Sequence, residues 1–180
     1  MRGAGNRVKP LAWLDAAADR VAVEAGGTPL AAPAYLLSAL ADRSKLWVAA
    51  AALRTLTEPG RDWRPAARAV GTIAVQSALV HFAVKPLFRR SRPAGQVLSR
   101  FGMRRPPSSS FPSGHAASAA TAAVLLADGR RSWSGPLAAL ALGVAWSRVQ
   151  VRLHHASDVA GGLVLGVAVG LAVKRLFRVL

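Results

Sequence analysis

VAGGLVLGVAVGLAV, Val159–Val173, runs without a single charge. Its glycines at 162, 166 and 170 fall four apart, which aligns them along one side of a helix and lets a second helix backbone come close in lipid. Valine and leucine between the glycines argue against a flexible linker. Toward the N-terminus the same texture recurs in Gly135–Val151, in Gly114–Ala127 (rich in Ala, Gly and Ser), and in Ala66–Val84, where Arg68, Gln76 and His81 are the notable polar members. Some of these are shorter than the roughly 20 residues of a straight span, so their helices are expected to extend into the flanks. Further out, the apolar stretches Pro29–Ala41 and Leu46–Leu56 are parted by Asp42-Arg43-Ser44-Lys45, which leaves the first crossing the least defined. In Leu11–Gly26, Leu11, Leu14, Ala18 and Val21 recur at helical spacing among Asp15, Asp19 and Glu24. That pattern predicts an amphipathic helix at the interface, and the acids exclude a signal peptide there. The expected fold is all-α: an integral-membrane helical bundle of about five to six transmembrane helices plus this N-terminal helix. Residues 1–28 form the basic N-terminus and interfacial helix, and 29–180 the membrane domain.

Composition agrees. Of 180 residues, 52% are hydrophobic, which excludes disorder, and mean hydropathy is +0.29, high for a small domain in water. The absence of cysteine excludes a disulfide framework, a Cys-based zinc site and a thiol nucleophile. Net charge is +16, from 24 basic and 8 acidic residues, and only four of the basic residues are lysine. Such an excess suits either nucleic acid or an anionic membrane surface. Aromatic residues at 6% are too few for a base-stacking platform, so the membrane reading leads and no nucleic-acid partner is expected.

The longest polar connection, Lys85–Ser113, holds Lys85, Arg89, Arg90, Arg92, Arg100, Arg104 and Arg105 with no acid. Seven cations without a counter-charge repel one another unless an anion binds, and a connection of this length points to function. Three clusters stand at the ends of apolar segments. The first is Lys85-Pro-Leu-Phe-Arg-Arg-Ser-Arg92-Pro93. The second, Phe111-Pro112-Ser113-Gly114-His115, opens a helix whose free N–H groups and dipole suit phosphate; by itself it is equally an ordinary capped helix. In the third, Ser147-Arg148 precedes His154 and Asp158, four residues apart. On a helix that spacing shares one face, so the carboxylate could hold one imidazole nitrogen and free the other. The bland reading is a His–Asp pair capping a membrane helix, harder to sustain because Asp158 opens an otherwise apolar span. Asp158 is the only acid after Arg131, so no carboxylate cluster stands ready for Mg²⁺. Stabilisation of a transferring phosphoryl group would then fall to arginine and lysine.

These residues resemble the three-part signature of the type 2 phosphatidic acid phosphatase superfamily. Lys85…Arg92-Pro93, Pro112-Ser113-Gly114-His115 and Ser147-Arg148…His154…Asp158 match it in order and spacing, over 85–158, under half the chain. The resemblance implies that His154 is a nucleophile forming a phosphohistidine, that Asp158 orients it, and that His115 protonates the leaving alkoxide and then activates water. It implies that Lys85, Arg92, Ser113, Gly114 and Arg148 bind the phosphoryl oxygens, with no metal and no cofactor. His155 breaks the spacing and is a decoy, while His81 reads as structural or lipid-facing. Arg89, Arg90, Arg100, Arg104 and Arg105 read as general head-group attraction.

A helix ending at Val84, one beginning at Ser113 and one returning at Val151 bring the three clusters to one side of the membrane. Arg130-Arg131 and Lys174-Arg175-Leu176-Phe177-Arg178 fall on the other. Both sides are basic, so the positive-inside rule does not decide orientation; the resemblance places the site on the extracytoplasmic face of a bacterial plasma membrane. The expected activity is metal-independent hydrolysis of a membrane lipid phosphate, a polyprenyl (di)phosphate or polyprenyl-linked sugar phosphate. Phosphatidate and phosphatidylglycerol phosphate are the alternatives. A reading of another class is a non-catalytic basic membrane protein that binds anionic lipid. The sequence carries no signal of oligomeric state.

Overall fold

The computed structural model describes residues 11–26, 28–29, 31–94 and 105–179. Among these the chain is helical and contains no strand. Seven α-helices follow in order: α1 (Ala12–Gly26), α2 (Ala31–Leu40), α3 (Lys45–Thr57), α4 (Arg64–Leu79), α5 (Gly114–Leu126), α6 (Arg131–Gln150) and α7 (Ala156–Val179). The first ten residues, Arg100 and Arg104 lie outside the described residues.

Helix α5 is the hub and packs on α3, α4, α6 and α7. Its alanines Ala116, Ala117, Ala119, Ala120 and Ala122 are buried, so almost every face meets a neighbour. Small side chains make this feasible, as the glycine spacing predicts: a Cβ on Gly162 of α7 would overlap the Ser113 carbonyl oxygen, and one on Gly166 the Ala117 carbonyl oxygen. Beside this dense pair, Trp47, Ile73, Leu125, Leu126, Leu137 and Val144 form the main apolar core. Helix α2 lies on α6, and α1 lies on α6 and α7.

Large apolar side chains also cover the outside. Trp13, Val48, Leu53, Leu56, Trp63, Val75, Leu79, Phe82, Leu142, Val164 and Leu176 are exposed, a surface suited to lipid. Two helical stretches, Arg64–Leu87 and Ala156–Arg178, are long and apolar enough to cross a bilayer. Helices α2 and α5 are apolar but shorter than a straight span.

Helix α1 packs against the bundle by one side. Leu11 and Val21 point outward, whereas Ala22 is buried and Ala18 packs with it against the bundle. Asp15 and Asp19 share this inward side, where they meet Arg90 and Arg152. Charge pairing and the small apolar residues Ala18 and Ala22 together mark the face that turns in.

The two ends of the bundle differ. At one, buried Arg54 donates from Nε to the Leu126 carbonyl (2.9 Å) and from Nη2 to the Asp128 carbonyl (3.0 Å), satisfying acceptors at the end of α5. Lys174 reaches Asp128 at 2.7 Å there. All three signature clusters meet at the opposite end.

Candidate active site

Each cluster is positioned by an irregularity in the chain. After Leu79 the α4 helix widens into a π turn over Val80–Val84 and tightens into a 3₁₀ turn, Lys85–Leu87. Pro86, which lacks an N–H, ends the ladder. Lys85 is buried and donates to the Ser109 carbonyl at 3.1 Å. Arg92 follows in extended chain. Its Nη1 donates to the Leu153 carbonyl (2.6 Å) and lies 3.4 Å from His154 Nε2, while Nη2 donates to the Ser108 carbonyl (3.2 Å).

Ser113 opens α5 as its N-cap. The hydroxyl accepts the Ala116 N–H at 3.4 Å, and the Ser113 N–H donates to the Asp158 carbonyl at 3.0 Å, which ties the second cluster to the third. The side chain is fully buried by these duties and does not reach the cavity, unlike Gly114 and His115, which line it.

Arg148 ends α6, and the chain reverses through Val151–His155. The N–H groups of Leu153 and His154 both donate to the Arg148 carbonyl (3.2 and 3.1 Å), and Arg152 takes a left-handed conformation with φ 57°. His154 thus sits in the turn, ahead of α7, and does not share a helix face with Asp158. The turn still brings His154 Nδ1 to 3.7 Å from Asp158 Oδ2. The same oxygen accepts the His155 N–H at 2.8 Å, a cap on the first turn of α7, so the decoy histidine contributes its backbone.

A cavity of about 770 Å³ joins these parts. Lys85, Arg92, Gly114, His115, Arg148 and His154 line it, together with Asp42, Arg43 and Ser44 and with the apolar Trp47, Val48, Val70, Ile73 and Ala74. His81 lines it too, which corrects its reading as structural or lipid-facing. Asp158 stands behind His154, wholly buried. Burial outweighs the attraction of Asp158 and pushes the His154 imidazole down to about 3, so its Nε2 carries a free lone pair at neutral pH. Burial likewise lowers the Arg92 guanidinium from its usual value, though it remains a cation. Among the described residues no group of three His, Asp or Glu side chains gathers as a metal site.

The region before α4 supplies site residues that the motifs did not identify. Arg148 Nη1 donates to the Ser38 hydroxyl of α2. Asp42 Oδ1, in the turn between α2 and α3, lies 3.6 Å from His115 Nε2. The neighbouring His115 imidazole holds the Asp42 carboxyl below the usual carboxylate range. A carboxylate interrupting two apolar stretches was the sequence signal, but nothing in its spacing named its partner. Arg90 departs furthest from expectation. It is buried, not a head-group contact, and its Nη1 lies 2.5 Å from Asp158 Oδ1. Arg89, by contrast, is exposed.

Comparison with known proteins gives consistent findings. Residues 65–179 match the model of the PAP2 superfamily. Decaprenylphosphoryl-5-phosphoribose phosphatase of Mycolicibacterium smegmatis is 35% identical over 132 residues, covering 72% of this chain and 69% of the relative. Its counterpart in Mycobacterium tuberculosis is 33% identical over 126 residues, covering 69% and 67%. Among solved structures, a transmembrane PAP2 type phosphatidylglycerolphosphate phosphatase from Bacillus subtilis superposes with a TM-score of 0.74 over 96% of this chain and 88% of that one. At 23% identity this likeness concerns the fold.

Proposed function

The chain belongs to the PAP2 superfamily and is a phosphoric ester hydrolase, and on that footing we propose that it removes phosphate from a polyprenyl-linked sugar phosphate or polyprenyl (di)phosphate in a bacterial plasma membrane. The observation that carries the chemistry is His154. Its Nε2 faces the cavity beside Arg92, and its Nδ1 faces Asp158. Nε2 attacks phosphorus; an N–P bond forms as the P–O bond to the leaving group breaks, and His115 gives the departing oxygen its proton. Asp158 stabilises the positive charge that the phosphorylated imidazole carries. Water, activated by His115, then attacks phosphorus, the N–P bond breaks, and inorganic phosphate leaves. Lys85, Arg92 and Arg148 hold the phosphoryl oxygens throughout, together with the backbone at Gly114, and their three positive charges meet the charge that develops in transfer.

Substrate class rests on the cavity and the relatives. Its lining joins cations to apolar side chains, which fits a phosphate on a long hydrocarbon. The relatives named above take a decaprenyl phosphoryl sugar phosphate as their substrate by name, which favours a polyprenyl carrier over a diacylglycerol lipid. The signature end faces the extracytoplasmic side, and α4 and α7 cross the bilayer with the shorter helices completing the bundle.

The test is phosphate release by detergent-purified protein in EDTA, from a decaprenyl phosphoribose phosphate, a polyprenyl diphosphate, a polyprenyl monophosphate, phosphatidate and phosphatidylglycerol phosphate. Turnover is expected to survive EDTA, to be fastest on a polyprenyl substrate, and to fall by about 10³-fold or more in His154→Ala. Loss of turnover in EDTA, or a His154→Ala enzyme as fast as the parent, rejects the mechanism. Preference for a diacylglycerol lipid rejects the substrate.

A further inference from the structure

Arg90 lies between two carboxylates. Its Nη1 donates to Asp158 Oδ1 (2.5 Å) and to the Ser157 hydroxyl (2.7 Å), while Nη2 donates to Asp15 Oδ2 (2.5 Å). Asp15 in turn accepts the Ser157 N–H at 2.8 Å and the Ser157 hydroxyl at 2.9 Å. Residue exposure is 8% for Arg90 and 0% for Asp158, so this pair is sheltered from water. Asp15 belongs to α1, ahead of the residues that match the family model.

An ionised carboxylate taken out of water is costly unless a cation and hydrogen bonds compensate it. His154 cannot be that cation in the resting enzyme, because its ring is neutral and Nδ1 is 3.7 Å away. Arg90 is. The division of the carboxylate is also specific: Oδ1 is taken by Arg90, and Oδ2 is left to the His155 N–H and to His154. The guanidinium fork thereby fixes the rotation of the carboxyl group, with Oδ2 directed at the imidazole. Asp15 and Ser157 hold the far side of the fork. Counted together, Asp15, Arg90 and Asp158 carry a net charge of −1, and they stand behind a ring that becomes positive when phosphorylated.

We infer that Arg90, anchored by Asp15 of α1, is a positioning residue that acts through Asp158: it keeps this buried carboxylate charged and aimed at His154. The inference rests on the nucleophile assignment proposed above. It predicts that α1 belongs to the catalytic unit and that the second arginine of Lys85–Arg92 has a task distinct from phosphate binding.

The experiment compares the parent with Arg90→Gln, Arg90→Lys and Asp158→Asn, and with both Arg90 variants in the Asp158→Asn background, for phosphate release and for the rate of phosphohistidine formation in a single turnover. Arg90→Gln is expected to lower kcat by about 10- to 100-fold with KM within about three-fold, as loss of an outer-layer hydrogen-bonding partner does. Arg90→Lys retains the charge without the fork and should recover about ten-fold of that loss. In the Asp158→Asn background either change should cost about two-fold or less, because the group it acts through is gone. A raised KM at unchanged kcat, a Lys variant as slow as Gln, or an undiminished loss in the Asp158→Asn background overturns the inference. If Arg90→Gln does not fold, by melting in detergent, Arg90→Lys carries the same cycle, with the same two-fold limit deciding. His154→Ala is run alongside: activity equal to the parent overturns the nucleophile assignment itself, a result distinct from any failure of the Arg90 cycle.

Discussion

His154 concentrates the chemistry in one ring. Nothing hydrogen-bonds its Nδ1 at rest, its Nε2 shares space with the Arg92 guanidinium, and the residue is 3% exposed. A ring so placed resists protonation, because the loss of water around a new charge outweighs the attraction of Asp158. With its midpoint at about 3, the imidazole is neutral above that pH and becomes protonated only as pH falls through it, so acid near pH 6 does not silence the nucleophile. An ordinary histidine is half protonated at about 6.5. Nitrogen-15 NMR of histidine-labelled enzyme should therefore show the His154 ring neutral from about pH 5 to 8. A midpoint near the ordinary value would contradict the burial seen here. Spacing singled out this residue, His115 and the three cations Lys85, Arg92 and Arg148, and the fold brings them to one cavity. Spacing did not identify Arg90, whose significance lies in a contact with Asp158 across 68 positions of chain.

Elements are legible where composition and period agree, and α7 is the clearest case. Its four-residue glycine period forecasts the close approach of a second helix, which the fold supplies as α5. Gly166→Ala should lower stability by about 1–3 kcal/mol, because its methyl meets the Ala117 carbonyl of a packed backbone that cannot yield. Gly71 in α4 has open space around its Cβ direction, so Gly71→Ala should leave stability unchanged or raise it by up to about 1 kcal/mol. Thermal melting in detergent separates the two; equal effects would mean the seam can relax. Helix α1 was harder to read. Its hydrophobic period marked it as amphipathic, but not that Asp15 and Asp19 would pair with Arg90 and Arg152. Such pairing depends on which basic residues the fold brings opposite, and that is not written in α1 itself. The break between α2 and α3 was visible as Asp42-Arg43-Ser44-Lys45. Its left-handed residues, Arg43 at φ 51° and Ser44 at φ 60°, and its arrival beside His115 were not.

As a whole the molecule is a bundle with two unlike polar ends and an apolar flank. Arg54, Asp128, Arg130 and Lys174 hold one end together, and the cavity opens at the other. Orientation can be read directly because the chain lacks cysteine. Ser91→Cys, near the cavity, should react with an impermeant maleimide on intact cells, and Ser132→Cys, at the start of α6, only after permeabilisation; the reverse pattern would put the site on the cytoplasmic face. The cavity has a consequence for how such an enzyme is measured. Its lining combines cations with Trp47, Val48 and Ile73, which suits a phosphate carried on a lipid and met within the lipid layer. The concentration that governs turnover is then the mole fraction of substrate among neighbouring amphiphiles, and diluting the membrane with inert lipid slows the reaction even when every litre of suspension holds the same amount of substrate.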